Sequence, residues 1–469
     1  MQDIVGFTIA LLISSFGLFL TLRRSPWLVD YLFYVIALNR GVRRFVDWMN
    51  GEFNKYSFIS LTPIIIGGLA SVLVLYELNA RSSEEKGRYL RKVSFLIYLY
   101  LACCSVAFVI GFIHVGFGAV YAFGDYLAPV GLMGFAALYV ERPRIINQWC
   151  NSLAFSSLLV AVYGIYQFYT IPPWDAFWVR AVDFEGYLGE LESTRMTLFS
   201  TMNERGPAAM FLGNGLTLLV LRRGTLGWLR WPSAAVILIA LLLTYVRFCV
   251  IQFSLACLLL PILNRGTGTI PIVCLCVGAF VFGESLMKLL PGDGAVSARM
   301  ATLSNIQDDD SFRGRLILMQ NAARSSLREP FGLGIGAHGM ASRLSTVESG
   351  GSADSTGYVE ALRTFGWTGL PFIMFVLYQI WVSSSQIVNR GIRDPNVYLF
   401  RAWFVSGLVG LFAFNWLFSA TFFWVLAGYV VGRSGQLTSR RAKPLDNRRR
   451  ISSSEKRWDA GMSSPPRFR

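Results

Sequence analysis

The sequence predicts an all-α polytopic integral membrane protein, and three observations predict it. The chain of 469 residues is 54% hydrophobic and only 15% charged, with a mean hydropathy of +0.48. That is too apolar for an ordinary water-soluble domain. Its apolar residues come in runs long enough to cross a bilayer. Its polar residues gather in the intervals between those runs, with one interval, Ser311 to Gly369, much longer and richer in unusual residues than the rest.

The apolar runs are Ile4–Leu22, Phe58–Leu78, Val93–Ile113, Tyr121–Val140, Trp149–Phe168, Gly206–Leu221, Pro232–Val246, Phe248–Leu263, Ile270–Met287, Tyr358–Val382, Val397–Asn415 and Trp416–Val431. Trp27–Leu38 is a further apolar run, too short to span without help. The expectation is therefore about twelve or thirteen crossings. Ile4–Leu22 lacks a basic leading region and a small-residue cleavage site, so it reads as a retained helix. Pro232–Leu263 is too long for one helix and suits two short ones meeting near Arg247.

Orientation follows from the basic loops. Arg81–Lys92, Arg142 and Arg144, Arg222, Arg223 and Arg230, and Arg390 and Arg393 all fall on one side if the runs alternate, together with the Lys/Arg-rich tail. Placing them in the cytoplasm obeys the positive-inside rule. Residues 170–205 and 288–357 are then periplasmic loops, and the C-terminus is cytoplasmic. Residues 1–432 form the transmembrane domain and 433–469 a basic tail, polar and disordered after Gly435. One cluster, Arg40, Arg43 and Arg44, falls on the wrong side of this scheme.

The formal charge of +15 is accounted for by that asymmetry. No nucleic-acid-binding motif accompanies it. The seven cysteines lie in or beside apolar runs without a zinc spacing, which reads as buried free thiols, and two histidines are too few for a histidine-built metal site. Asp308, Asp309 and Asp310 read as a solvated loop or, alternatively, a metal site.

Within the long polar interval, Leu316, Met319, Ala323 and Leu327 mark the apolar stripe of a short helix that Glu329-Pro330 ends. Arg313, Arg315, Arg324 and Arg328 lie on or near it, and Gly332, Gly334, Gly336 and Gly339 permit tight turns or a close ligand. Arg247, alone between Val246 and Phe248, either meets an anion or snorkels to headgroups. Pro207 suits the first turn of a helix, whose amides, with Asn203 and Arg205, either bind an anion or are simply capped. Arg247, Arg205, Arg313, Arg315 and Arg324 converging on one cavity would bind a diphosphate bidentately. Asp354 and Glu360 could take a proton from a sugar hydroxyl; for Asp354 the other reading is an N-cap to the Tyr358 helix.

The order Asn203…Gly206-Pro207, Thr244-Tyr-Val-Arg247, Gly314-Arg315, Pro330-Phe-Gly-Leu-Gly-Ile-Gly and Tyr358-Val-Glu-Ala-Leu-Arg-Thr-Phe-Gly-Trp-Thr-Gly resembles the O-antigen ligase/polymerase superfamily. Ser200-Thr-Met-Asn-Glu-Arg-Gly-Pro-Ala is similar to its exopolysaccharide repeat-unit polymerase branch. The resemblance covers roughly Gly164 to Val382. It implies a fold like that of the GT-C glycosyltransferases, with short helices in a large periplasmic loop. It implies an undecaprenyl-diphosphate-linked oligosaccharide as substrate, no cofactor or metal, and Arg247 and Arg315 at the diphosphate. Chain-length regulator and export proteins would be partners, beside the bilayer. One departure is visible: where ligases of the superfamily carry His-Asn before the Tyr-Leu-Glu-like segment, this chain has Ser355-Thr356. That favours a polymerase over a ligase. A transporter or flippase, or a non-catalytic assembly partner, is the reading from another class.

Overall fold

The computed structural model describes residues 2–54, 57–80, 88–183, 188–264, 310–337, 356–412 and 421–441. The described residues are all-helical, with no strand. The helices are α1 (Gln2–Leu22), α2 (Trp27–Asn50), α3 (Thr62–Ala80, after a 3-10 turn at Phe58–Leu61), α4 (Arg88–Val115), α5 (Phe117–Leu138), α6 (Pro143–Thr170) and α7 (Pro173–Ala181). They continue as α8 (Arg205–Leu221), α9 (Arg230–Leu243), α10 (Arg247–Asn264), α11 (Asp310–Arg328), α12 (Gly357–Asn389), α13 (Pro395–Gly410) and α14 (Thr421–Arg441).

Six helical stretches among the described residues are long and apolar enough to cross a membrane: Ile4–Leu22, Phe58–Ala80, Leu90–Val115, Phe117–Leu138, Pro143–Thr170 and Gly357–Asn389. Gly227–Leu243 and Phe248–Leu259 are shorter apolar stretches. The expected run Ile270–Met287 and the Asn415-Trp416 junction lie outside the described residues. The chain breaks where the length of Pro232–Leu263 required it. α9 ends at Leu243, Tyr245 takes a left-handed φ of 54°, and α10 starts at Arg247.

Two elements differ from expectation. α2 runs 24 residues, twice the apolar run that announced it, because its charges are paired inside the fold. Arg43 meets Asp47 at 3.4 Å and Arg44 meets Asp175 of α7 at 3.0 Å. Two of the three arginines that contradicted the charge asymmetry, Arg43 and Arg44, are therefore buried structural groups. At the other end of the chain, α14 continues past Gly435 to Arg441, so the tail is helical where it leaves the bundle.

The bundle has two unlike ends. One carries the short connections at Arg142, Arg222–Leu229 and Arg390–Asp394, and is called the basic end. The other carries the α4–α5 turn, α7 and the chain from 188 to 204, and is called the loop end. α5 is the axial helix, packed on α3, α4 and α14. Its small residues permit this: a Cβ on Gly134 would meet Ile97 Cδ1 at 3.0 Å, and one on Gly428 of α14 would lie 2.7 Å from the Met133 carbonyl carbon. Two helices start below the rim of the loop end. Glu360, in the first turn of α12, bonds Tyr126 of α5, about 13 Å down from Phe117. Phe422, at the start of α14, packs on Phe33 at 5.6 Å, about 25 Å down α2 from Asn50.

Candidate functional site: polar groups at the loop end

The wall of the loop end is built by a buried ion pair and its supports. Arg44 and Asp175 are both fully buried. The guanidinium also donates to the carbonyls of Ser200 and Met202 and lies over the Phe199 ring at 4.8 Å. Asp175 accepts from Gln167 at 2.6 Å and from Tyr163 at 2.8 Å, and Gln167 Oε1 in turn accepts from the Ser200 amide at 2.7 Å. Burial pushes the Asp175 carboxyl above its ordinary value, while the Arg44 charge draws it back. Thr201 completes the clasp by donating to the Ala37 carbonyl. Residues 199–203 are thereby tied to the Ala37–Arg44 stretch of α2.

This places Asn203 and Arg205. Asn203 is buried, and its Oδ1 has no hydrogen-bond partner among the described residues. Arg205 is half-buried at the first turn of α8, where Glu204 occupies the N-cap position without a side-chain cap bond. The plain capping reading of this turn is therefore not what the fold uses.

The glycine-rich turn is held by helices on both sides. The Ile335 amide donates to the Ala107 carbonyl at 2.9 Å, and the Leu333 amide to the Arg363 carbonyl at 2.6 Å. Gly334 has a φ of 82°, and a Cβ there would sit 2.5 Å from the Ala107 oxygen. Gly366 has a φ of 61°, breaks α12 into two pieces, and would place a Cβ 2.5 Å from the Gly332 nitrogen. The sequence suggested tight turns or a close ligand at these glycines; at Gly332 and Gly334 what approaches is helix backbone, so they anchor α11 to α4 and α12, and Gly339 lies outside the described residues.

α11 turns out to be inverted relative to its expected stripe. Leu316 is 42% exposed and Leu327 74%, while Ala322 and Ser326 are buried. Small residues pack on α12 and the leucines point away, as they do when the outward medium is lipid or its interface. At 100° per residue Arg315 falls on the Ala322–Ser326 stripe, and it is half-buried. Arg313, Arg324 and Arg328 fall on the opposite face and are exposed. The expected convergence of Arg313, Arg315 and Arg324 is thus corrected: helix geometry separates them, and only Arg315 faces the bundle. The Arg247 side chain and Asp354 lie outside the described residues. The capping role considered for Asp354 belongs to Thr356, whose Oγ1 accepts from the Val359 amide at 3.3 Å. Glu360 is half-buried, and its Oε1 accepts from the Tyr126 hydroxyl at 3.0 Å, with Thr364 on the same hydroxyl.

The residues that the sequence reading passed over are Arg40, Tyr121 and Asp125. Asp125 is exposed on α5. It sits about 12 Å down α5 from Phe117. Arg40 of α2, half-buried, is the charge that acts on it, and Tyr121 lies one turn above on the same face of α5. A signal was present: Asp125 is the sole charged residue of α5, and a lone charge in a membrane run is a functional candidate by default. No group of three His, Cys, Asp or Glu among the described residues could hold a metal ion.

Comparison finds no counterpart. Neither family models, curated proteins nor solved structures match this chain. The polar groups at this end, Arg40, Tyr121, Asp125, Tyr126, Glu360 and Arg315, therefore have to be read from their own chemistry. They are carboxylate, guanidinium and phenol groups within or beside apolar helices.

Proposed function

We propose that this chain is a polymerase of the bacterial inner membrane that joins undecaprenyl-diphosphate-linked oligosaccharide repeats into an exopolysaccharide or O-antigen chain on the periplasmic face. The growing glycan leaves its carrier at the anomeric carbon as a hydroxyl of the next repeat attacks. The departing diphosphate is stabilised by arginine, foremost Arg315 and Arg247, in place of a nucleotide sugar or a metal. The observation that carries this reading is Arg315 turned toward the bundle from a helix whose leucines face outward. Such a helix, lying at the membrane surface, would suit a guanidinium that meets a lipid-borne diphosphate. The order of motifs from Asn203 to Gly369 supports the same reading.

The test is the product that accumulates in a deletion strain. Single repeats on the carrier are expected; full-length chains on the carrier would make the protein a ligase instead. Arg315→Lys keeps the charge but loses the planar fork, so chain formation is expected to fall at least tenfold at equal protein level, read by gel profile of the polysaccharide. Chains of normal length and amount from that variant would remove Arg315 from the diphosphate.

A transporter or flippase is favoured by one observation, the carboxylate of Asp125 within the apolar helix α5. It predicts repeats trapped on the cytoplasmic leaflet in the deletion strain, whereas the polymerase leaves them exposed on the periplasmic leaflet.

A further inference from the structure

We infer that the groove between α2 and α6 at the basic end binds an anionic phospholipid with a hydroxyl-bearing head group. The inference stands apart from the polymerase reading, whose residues lie elsewhere.

The groove has a volume of about 510 Å³, within the range of small-molecule sites. α2 packs on α6, and the Trp149 indole donates to the Pro26 carbonyl at 2.8 Å, which fixes the start of one helix to the other. Arg144, Gln148, Ser152 and Phe155 line it as one stripe of α6, and Trp27 and Tyr34 line it from α2. Leu226, in the α8–α9 connection, borders it at the basic end.

Its carboxamides each have one end committed. Asn147 Oδ1 accepts from the buried Arg222 guanidinium, and Asn151 Oδ1 accepts from the Leu226 amide at 3.2 Å. The NH2 groups of both have no partner among the described residues. Gln148 is turned the other way: its Nε2 donates to the Asp30 carboxylate, so its carbonyl oxygen is the free end. Arg144 is exposed and has no hydrogen-bond or ion-pair partner among the described residues. One stretch of α6 therefore offers a free guanidinium and two amide donors, which suit phosphate oxygens. The same stretch offers an amide oxygen and the Ser152 hydroxyl, which suit the hydroxyls of a head group.

Position makes the occupant a lipid. α6 is one of the stretches long and apolar enough to cross a membrane, and the groove follows it from Arg144 to Phe155, about 16 Å. The free polar groups lie toward the basic end. At the other limit Tyr34 and Phe155 meet edge to face at 6.5 Å. A phospholipid matches that gradient, with its phosphate at Arg144 and the top of a chain against the two rings. Trp27, Trp228 and Trp231 are all exposed at this end, as tryptophans are at a membrane interface.

Charge makes the lipid anionic. In the α5–α6 and α8–α9 connections and the first turn of α6, Arg142, Arg144 and Arg223 are exposed, against Glu141 as the one exposed acid of those segments. A zwitterionic head group would set its cation among these arginines, whereas an anionic one gains from all of them.

The experiment uses the full-length protein in phosphatidylcholine liposomes that contain a small fraction of phosphatidylglycerol with a photoreactive group near the top of one acyl chain. Irradiation is expected to label residues 27–34 and 148–155, mapped by mass spectrometry of peptides. Unlabelled phosphatidylglycerol should compete, and glycerol 3-phosphate at the same concentration should not. Arg144→Ala should lower the labelling roughly tenfold, the scale of one lost charge-assisted hydrogen bond. Arg393→Ala, which removes another exposed arginine at the basic end, should leave it unchanged. Equal labelling of these residues by a photoreactive phosphatidylcholine would mean unselective boundary lipid and overturn the inference. Undiminished labelling of Arg144→Ala would overturn it too. Displacement by glycerol 3-phosphate as effective as that by the lipid would reduce the groove to a site for a soluble phosphate, which overturns the inference as well.

Discussion

Arg44 shows how a single residue can mislead a reading of charge and then explain it. Counted along the chain, Arg40, Arg43 and Arg44 argue against placing the α2–α3 connection outside. In the fold, Arg44 is fully buried against Asp175, under two carbonyls and an aromatic ring. Removing one member of such a pair leaves an uncompensated buried charge, a loss of about 3–5 kcal/mol. Arg44→Met is therefore expected to reduce folded protein severely. The double change Arg44→Met with Asp175→Leu should recover much of it, because replacing both charges removes the desolvation cost as well. Thermal unfolding in detergent, with the two single variants and the double one in the same cycle, measures this. A double variant no more stable than Arg44→Met would place the loss in the hydrogen bonds to residues 200–202.

At the scale of elements, the sequence was most readable where hydropathy and backbone chemistry agreed. The break between α9 and α10 followed from a run too long for one helix. The end of α11 at Arg328 followed from Pro330. Reading failed where the surrounding medium decides. Leu316, Met319, Ala323 and Leu327 do form a helical stripe, but periodicity cannot say whether an apolar face meets protein or lipid, and two of these leucines point outward. It failed again for α2, whose paired charges lower its hydropathy without lowering its burial. Of the candidate site, Arg315 stood out in the sequence, while the clasp of Arg44, Asp175 and residues 200–202 needed the third dimension, since residues so far apart in sequence share nothing until the bundle closes. The turn that docks α11 gives the element-scale prediction. Gly334→Val puts a branched side chain into a φ of 82° with a backbone oxygen 2.5 Å from its Cβ. It should detach residues 332–336 from α4 and abolish chain formation while α1–α6 remain folded. Limited proteolysis should then cut near Leu327 in the variant and not in the parent. Resistance equal to the parent's would show the turn is not what anchors α11.

For the whole molecule, the two ends make the orientation testable. Arg222, Arg223 and Arg230 gather at the basic end, and Ser193 lies exposed at the loop end. In a cysteine-free background, a cysteine replacing Ser193 should react with an impermeant reagent once the outer membrane is opened. One replacing Arg223 should react only after the inner membrane is permeabilised. The reverse pattern would turn the protein over and move its loop end to the cytoplasmic side, away from any periplasmic substrate.

The clasp around Arg44 also sets a clock on biogenesis. Its carbonyl partner at Met202 lies 158 residues further along the chain, so α2 reaches the membrane long before the groups that neutralise it exist. At a synthesis rate of about 5–20 residues per second, that interval is on the order of 10 seconds. During it, α2 must wait in the insertion machinery or lie at the interface with its arginines in the headgroups. Insertion of α2 is thus a late event imposed on an early segment, and the loop end closes only when α7 and residues 199–203 have arrived to receive it.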